Sequence, residues 1–239
     1  MKPKRCYTIW FAQRTGSTLL YKALESTGVA GVPREWMNDL DPKVINIQQI
    51  QRIWGEGTTP NGVFGMKCSL NQVWIEILQK ELQLPQGLSR PRIWESAFPE
   101  CKHIYMTRRN KVRLAVSWWR AIVSGEWHRV HGEKPQQEDI IDNYNFNAIN
   151  HLLVECNFRE AAMEDFFSEE DIVPLTIVYE DFVQKYETTV RQVLDYLSIP
   201  AEEVDVAPPF FDQIADDVAE SWVQRFRKER QAGWENLGW

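Results

Sequence analysis

Short apolar runs alternate with longer amphipathic ones along most of this chain. Cys6-Tyr7-Thr8-Ile9-Trp10-Phe11 has the β-branched and aromatic content of a buried strand. The chain then turns through Arg14-Thr15-Gly16-Ser17-Thr18 and enters a pattern with Leu20, Ala23, Leu24 and Thr27 on one helical face. Val63 to Lys67 and His103 to Thr107 read as two further core strands, and Ile172 to Tyr179 as a fourth. Helical patterns follow each of them. The second carries Val73, Ile77 and Leu78, and the third carries Val112, Val116, Trp119 and Val123 at i, i+4, i+7 and i+11. The fourth carries Val190, Val193, Leu194 and Leu197.

Between these units, Asp41-Pro42 predicts the start of a short helix running to about Trp54, and Gly55 to Gly62 predicts a loop. Pro85 to Pro99 reads as a surface excursion with Trp94 and Glu95 exposed. Glu138 to Phe167 is strongly helical with at least one break. After the break at Pro208-Pro209 a last amphipathic helix sets Ala215, Ala219, Trp222 and Phe226 on one face. Strands alternating with long helices predict an α/β fold, a central and mainly parallel sheet flanked by helices on both faces. One domain over residues 1–239 is expected, with a helical elaboration around 120–170 and a C-terminal helix around 212–231.

Composition narrows the function classes. The net charge of −7 argues against a general nucleic-acid binder, while a local basic patch still suits a small polyanion. Cys6, Cys68, Cys101 and Cys156 are widely spaced and make no zinc-type cluster, so reduced thiols in a cytoplasmic protein are expected. No stretch approaches the ~20 apolar residues of a membrane helix. The 11 tryptophans serve mainly packing, with Trp36, Trp94 and Trp127 as candidates for an aromatic wall against a ligand, and the aromatic content permits a homodimer.

The chemistry gathers at strand ends. A polar loop between strand and helix aims backbone N–H groups and the positive end of the helix dipole at one point, and Gly16, Ser17 and Thr18 let an anion come close. Arg14 adds a planar fork of donors. Lys67 and the Arg108-Arg109 segment stand at the carboxyl ends of their strands, the edge where ligands gather in open α/β sheets. On the third helix Arg113, Ser117, Arg120 and Ser124 form a basic and hydroxyl stripe, equally readable as a solvated face. Glu35, next to Trp36 and Met37, is a candidate proton acceptor if those neighbours desolvate it. His128 and His131 lack the companions of a metal site and read as loop histidines, so no metal is expected. Arg225, Arg227, Lys228 and Arg230 complement the last helix's dipole or close over a phosphate.

Taken together, Gln13 to Leu20, Gly31 to Trp36, Phe64 to Lys67, Phe98 to Ala121, Val178 to Phe182 and Trp222 to Phe226 resemble the bacterial carbohydrate sulfotransferases of the trehalose 2-O-sulfotransferase type. The resemblance implies a P-loop-like three-layer fold that uses 3'-phosphoadenosine 5'-phosphosulfate. It places Arg14, Thr15, Gly16, Ser17 and Thr18 around the 5'-phosphosulfate. Arg109 and Ser117, eight residues apart, fall on the 3'-phosphate motif, and Glu35 falls on the catalytic base. Arg14 stands where cytosolic eukaryotic sulfotransferases carry a lysine, which keeps the charge but makes proton donation to the leaving group unexpected.

The expected reaction is sulfuryl transfer to a hydroxyl of a sugar or glycolipid-like small acceptor, with Glu35 and Arg14 as catalytic residues. One rival is a P-loop kinase or NTPase, which needs GxxxxGK[ST]; this loop lacks both the lysine and the glycine spacing. The other is a binding module without turnover, for a nucleotide or a glycan.

Overall fold

A computed structural model describes residues 3–38, 40, 45–136, 140–200, 202, 204–212, 214 and 216–239. Four strands, β1 (Arg5–Phe11), β2 (Val63–Cys68), β3 (Lys102–Thr107) and β4 (Leu175–Val178), form one sheet in the order β2-β1-β3-β4, every pairing parallel. Parallel neighbours need crossovers, and helices supply them: α1 (Ser17–Ser26) and α2 (Ile47–Gly57) before β2, α3 (Gln72–Glu81) and α4 (Arg90–Ala97) before β3. Between β3 and β4 run α5 (Lys111–Ser124) and the long α6 (Phe146–Ser168). Helices α7 (Tyr179–Gln184), α8 (Tyr186–Tyr196) and α9 (Asp217–Arg230) complete the described elements.

The strand period of two sorts side chains between the layers. Tyr7, Ile9 and Phe11 of β1, with Ile104 and Met106 of β3, meet Leu20 and Leu24 of α1 and Val190, Val193 and Leu194 of α8. Cys6 and Trp10, with Phe64, Met66 and Tyr105, point to the other face and pack on α2, α3, α4 and the end of α6. Trp10 is wholly buried, its ring 4.8 Å from Phe166 and 4.9 Å from Trp94. A third apolar cluster joins α5, α6 and α9 beside the sheet's carboxyl end. The four cysteines form no disulfide. Among the described residues no helix is long and apolar enough to cross a membrane.

Several expectations are corrected. The stretch read as a surface excursion contains α4, with Pro91 at its first turn, and Trp94 is buried, its indole N–H bonded to Thr8 Oγ1 at 3.0 Å. The proline, which breaks a helix interior, is a starter at that position. The loop expected from Gly55 begins later, because α2 runs on to Gly57. Strand β4 is short, and Tyr179, Glu180 and Asp181 already belong to α7. The break before α6 is a single 3-10 turn over Ile141–Asn143. The helix start at Asp41-Pro42, the residues at 137–139 and Ala215 lie outside the described residues; α2 is capped by Asn46, whose side chain accepts from Gln49 N–H.

Candidate active site

The loop after β1 is held open toward the helix mouth. Arg14 and Gly16 both have positive φ, 66° and 85°. A side chain at Gly16 would place its Cβ 2.7 Å from Cδ2 of Tyr179, so only glycine fits under that ring. No side chain caps the first turn of α1, and its N–H groups stay available to an anion. Thr15 turns inward, fully buried, and spends its hydroxyl on the Ala12 carbonyl at 2.7 Å.

Above this mouth lies a cavity of about 450 Å³. Gly16, Ser17 and Thr18 form its floor, and Arg14, Arg108, Arg113 and Arg120 bring four guanidinium groups to it. Their electrostatic states differ. Arg113 pairs with Glu220, and Arg120 with Asp216 at 2.5 Å, both acids near the start of α9. Arg108 stacks on Tyr179, 4.6 Å from the ring centre, with Glu180 at 3.7 Å. Arg14 has no carboxylate within salt-bridge distance among the described residues. It donates to neutral partners, Ser117 Oγ at 3.1 Å and the Trp127 carbonyl at 2.5 Å. Burial, then the nearby charge of Arg108, pulls its pKa down to about 10. It keeps its charge near neutrality, but a charge so placed favours an anion beside it.

A second, shallower cleft adjoins the cavity, lined by Thr18, Tyr21, Lys22, Arg34, Glu35, Lys67 and His128. The segment before Glu35 lies along the free edge of β2. Gly31, at φ 70°, passes so close that a Cβ would sit 2.5 Å from Gly65 N, and Lys67 N–H donates to the Arg34 carbonyl at 3.0 Å. That pairing sets Glu35 beside the end of the strand. Its Oε1 is 2.6 Å from Lys67 Nζ, its Oε2 accepts from Asn38 Nδ2 at 2.6 Å, and Lys67 also donates to Thr18 Oγ1 at 3.1 Å. Lys67 is buried, with Phe11's ring 4.8 Å from its ammonium. Across the cleft Glu25 pairs with both Lys22 and Arg34, and exposed Phe210 faces Lys22 at 5.8 Å.

The profile described as Stf0 sulphotransferase matches residues 6–54 and 37–229. The chain belongs to this family. It is similar to the trehalose 2-sulfotransferases of Mycolicibacterium smegmatis and Mycobacterium tuberculosis, 30% identical to each over 94% of this chain and 95% of theirs. It also shares its fold with a sulfotransferase from Alicyclobacillus acidocaldarius, with a TM-score of 0.50, 14% identity, and 93% of this chain and 91% of that one covered. The Stf0 family members are transferases, and the three-layer P-loop-like fold expected from the sequence is the one found.

Within this Stf0 fold the structure brings together Arg14, Gly16, Ser17, Thr18 and Ser117 at one cavity and Glu35 at the adjoining cleft. It does not bring Arg109 there. Arg109 is exposed and forms a two-pronged ion pair with Asp181, and it is Arg108 that lines the cavity. The eight-residue spacing to Ser117 singles out Arg109, but successive residues leaving a strand point opposite ways, and spacing alone does not say which of the two faces the cavity. Of the α5 stripe, Arg113, Ser117 and Arg120 face the cavity, whereas Ser124 bonds back to the Arg120 carbonyl. The basic end of α9 stays away: Arg225 pairs with Glu229, and Arg227 and Arg230 face Trp239 and Trp234. The start of that helix lines the cavity instead, through Asp217, Ala219 and Glu220.

Nor is Glu35 packed under Trp36. The indole turns into the core and donates to the Val32 and Gly65 carbonyls, leaving Glu35 half exposed against Lys67. Of the three candidate aromatic walls, Trp36 and Trp94 are buried and only Trp127 is exposed at the cavity. Lys67 as the partner of Glu35 was missed, although its place at the end of β2 was legible. Among the described residues no group of three or more His, Cys, Asp or Glu side chains is placed to hold a metal ion.

Proposed function

We propose that this Stf0 sulphotransferase moves a sulfuryl group from 3'-phosphoadenosine 5'-phosphosulfate to a hydroxyl of a sugar or glycolipid-like acceptor. Family membership and the trehalose 2-sulfotransferase relatives support the reaction class and a sugar acceptor. One observation carries the reading. The cavity in which Arg14 lacks a carboxylate opens at Thr18 onto the cleft that holds the Lys67–Glu35 pair.

The donor's 5'-phosphosulfate would lie on the mouth of α1, held by the N–H groups after Gly16, by the hydroxyls of Ser17 and Thr18, and by Arg14. Thr15 braces the loop from behind. The 3'-phosphate falls to Ser117 with an arginine of the segment after β3. The sequence motif names Arg109 for that task, and the cavity lining favours Arg108. Fixed donors already aimed at the transferring group cost no reorganisation as negative charge shifts to the leaving phosphate. In the transfer the acceptor oxygen forms a bond to sulfur as the bond from sulfur to the 5'-phosphate oxygen breaks. The hydroxyl proton passes to Glu35, and the electron pair leaves with 3'-phosphoadenosine 5'-phosphate.

Incubation with labelled donor and a panel containing trehalose, other disaccharides and glycolipid head groups tests the reading, with label expected on at least one sugar. Transfer to none of them sinks it. In a thermal-shift assay 3'-phosphoadenosine 5'-phosphate should raise Tm where ATP with magnesium does not; the reverse favours a kinase. Glu35→Gln should lower turnover about a hundredfold, within the range of general-base catalysis, at unchanged donor affinity. Full turnover in that variant would remove Glu35 as the base.

A further inference from the structure

Two described residues line both the cavity and the cleft: Thr18, on the mouth of α1, and His128, in the loop after α5. They stand where the cavity over the helix mouth meets the cleft that holds Glu35. The imidazole of His128 lies against Phe211, 5.0 Å between ring centres and tilted by 32°. Behind it, the loop is pinned to the segment before α9. Val130 bridges Phe211, His131 N–H donates to the Phe210 carbonyl at 3.1 Å, and Asp212 N–H donates to the Arg129 carbonyl at 2.9 Å. Arg129 in turn forks onto the buried carboxylate of Glu126 at 2.7 and 2.8 Å. A pinned backbone and a stacked ring hold the imidazole at the neck. No hydrogen bond occupies either ring nitrogen among the described residues.

We propose that His128 is a catalytic residue of the transfer, its ring N–H donating a hydrogen bond to a sulfuryl oxygen as that group crosses from the cavity to the cleft. The inference rests on the sulfuryl-transfer reading above. Its bond changes are the ones given there, and His128 neither gains nor loses a proton. The surroundings suit a donor better than a base. His128 is exposed on its solvent side; partial desolvation on the other, then the charges of Arg14 and Lys67, lowers the imidazole below its usual range, leaving it neutral near pH 7 with one N–H to give. Taking the acceptor's proton would create a third cation between those two. Glu35, paired with Lys67 in the cleft, is the better destination.

Three variants of the whole chain separate the roles: His128→Ala, His128→Phe, which keeps a ring on Phe211 without an N–H, and His128→Gln, whose amide restores one. With the sugar that the panel identifies, Ala and Phe should lower kcat at least tenfold while both KM values stay within threefold. Gln should recover most of the loss. Affinity for 3'-phosphoadenosine 5'-phosphate by calorimetry should stay within threefold in all three. A Phe variant that turns over like the parent overturns the proposal, because stacking alone then suffices. Unchanged kcat with altered KM overturns it too, since His128 is then only a wall. If the parent transfers to no acceptor, the proposed function fails and takes this role with it; a slow Phe variant beside an active parent cannot arise that way.

Discussion

Lys67 Nζ lies 2.6 Å from Glu35 Oε1 and 3.1 Å from Thr18 Oγ1, so one buried ammonium joins the candidate base to the mouth of α1. Lys67→Met should lower turnover at least tenfold and leave affinity for 3'-phosphoadenosine 5'-phosphate within about threefold. Breaking a buried pair costs ~3–5 kcal/mol when the remaining charge stays dry. Water reaches Glu35, whose side chain is 37% exposed, so the loss in urea unfolding should be only about 1 kcal/mol. Unaltered turnover would show that the bridge is structural.

Neighbouring arginines provide a direct comparison. Arg108 lines the cavity and stacks on Tyr179, while Arg109 is tied to Asp181 on the surface. Arg108→Ala is expected to weaken binding of 3'-phosphoadenosine 5'-phosphate more than tenfold, and Arg109→Ala less than threefold, by calorimetry. The opposite ranking would return the 3'-phosphate to the residue that the sequence motif names.

Gly16 is required twice over, by its φ of 85° and by the Tyr179 ring above it. Gly16→Ala should cost about 1–3 kcal/mol of stability, the usual range for strain at such a position. Because Tyr179 must then shift across the cavity, nucleotide affinity should fall at least tenfold as well. A variant with parental urea midpoint and affinity would contradict both arguments.

His103 sets a pH dependence of stability. Its ring is buried under Phe166 and Phe167, Nδ1 accepts from the Trp10 indole at 2.9 Å, and burial pulls its pKa down to about 4. In the unfolded chain the same group binds its proton with a pKa of ~6.5. The unfolded state is therefore the better proton binder. The contribution is fully present above about pH 6.5 and is lost as pH falls toward 4, by ~3 kcal/mol in all. Urea midpoints between pH 7.5 and 5 should decline in the parent. His103→Gln, which keeps an acceptor for Trp10 without the titration, should decline less; an identical slope would exclude His103 as the source.

The sequence by itself determined the sheet and the strand-loop-helix turn around Gly16. The apolar run from Cys6 to Phe11 is a local property of the strand, and both of its faces are buried as a continuous run requires. The strand-loop-helix order around Gly16 is equally local, because an apolar run, a glycine-containing polar turn and a helical period are all written within about twenty residues. Reading Pro85 to Pro99 as a surface excursion hid α4 and left Trp94 outside the core, although Ser89-Arg90-Pro91 carries a helix-start signal.

What the tertiary structure alone decided are contacts between residues far apart in the chain. Glu35 meets Lys67 because the Gly31 to Glu35 segment runs along the edge of β2, and no periodicity in either segment encodes that pairing. Arg108 rather than Arg109 faces the cavity because the strand's exit direction and Asp181 on α7 together orient the two side chains. His128 reaches the neck only because its loop is pinned to the segment before α9, some eighty residues later. Local propensity acts over a few residues, whereas a site shared by many separate segments depends on how the packed layers bring their ends together.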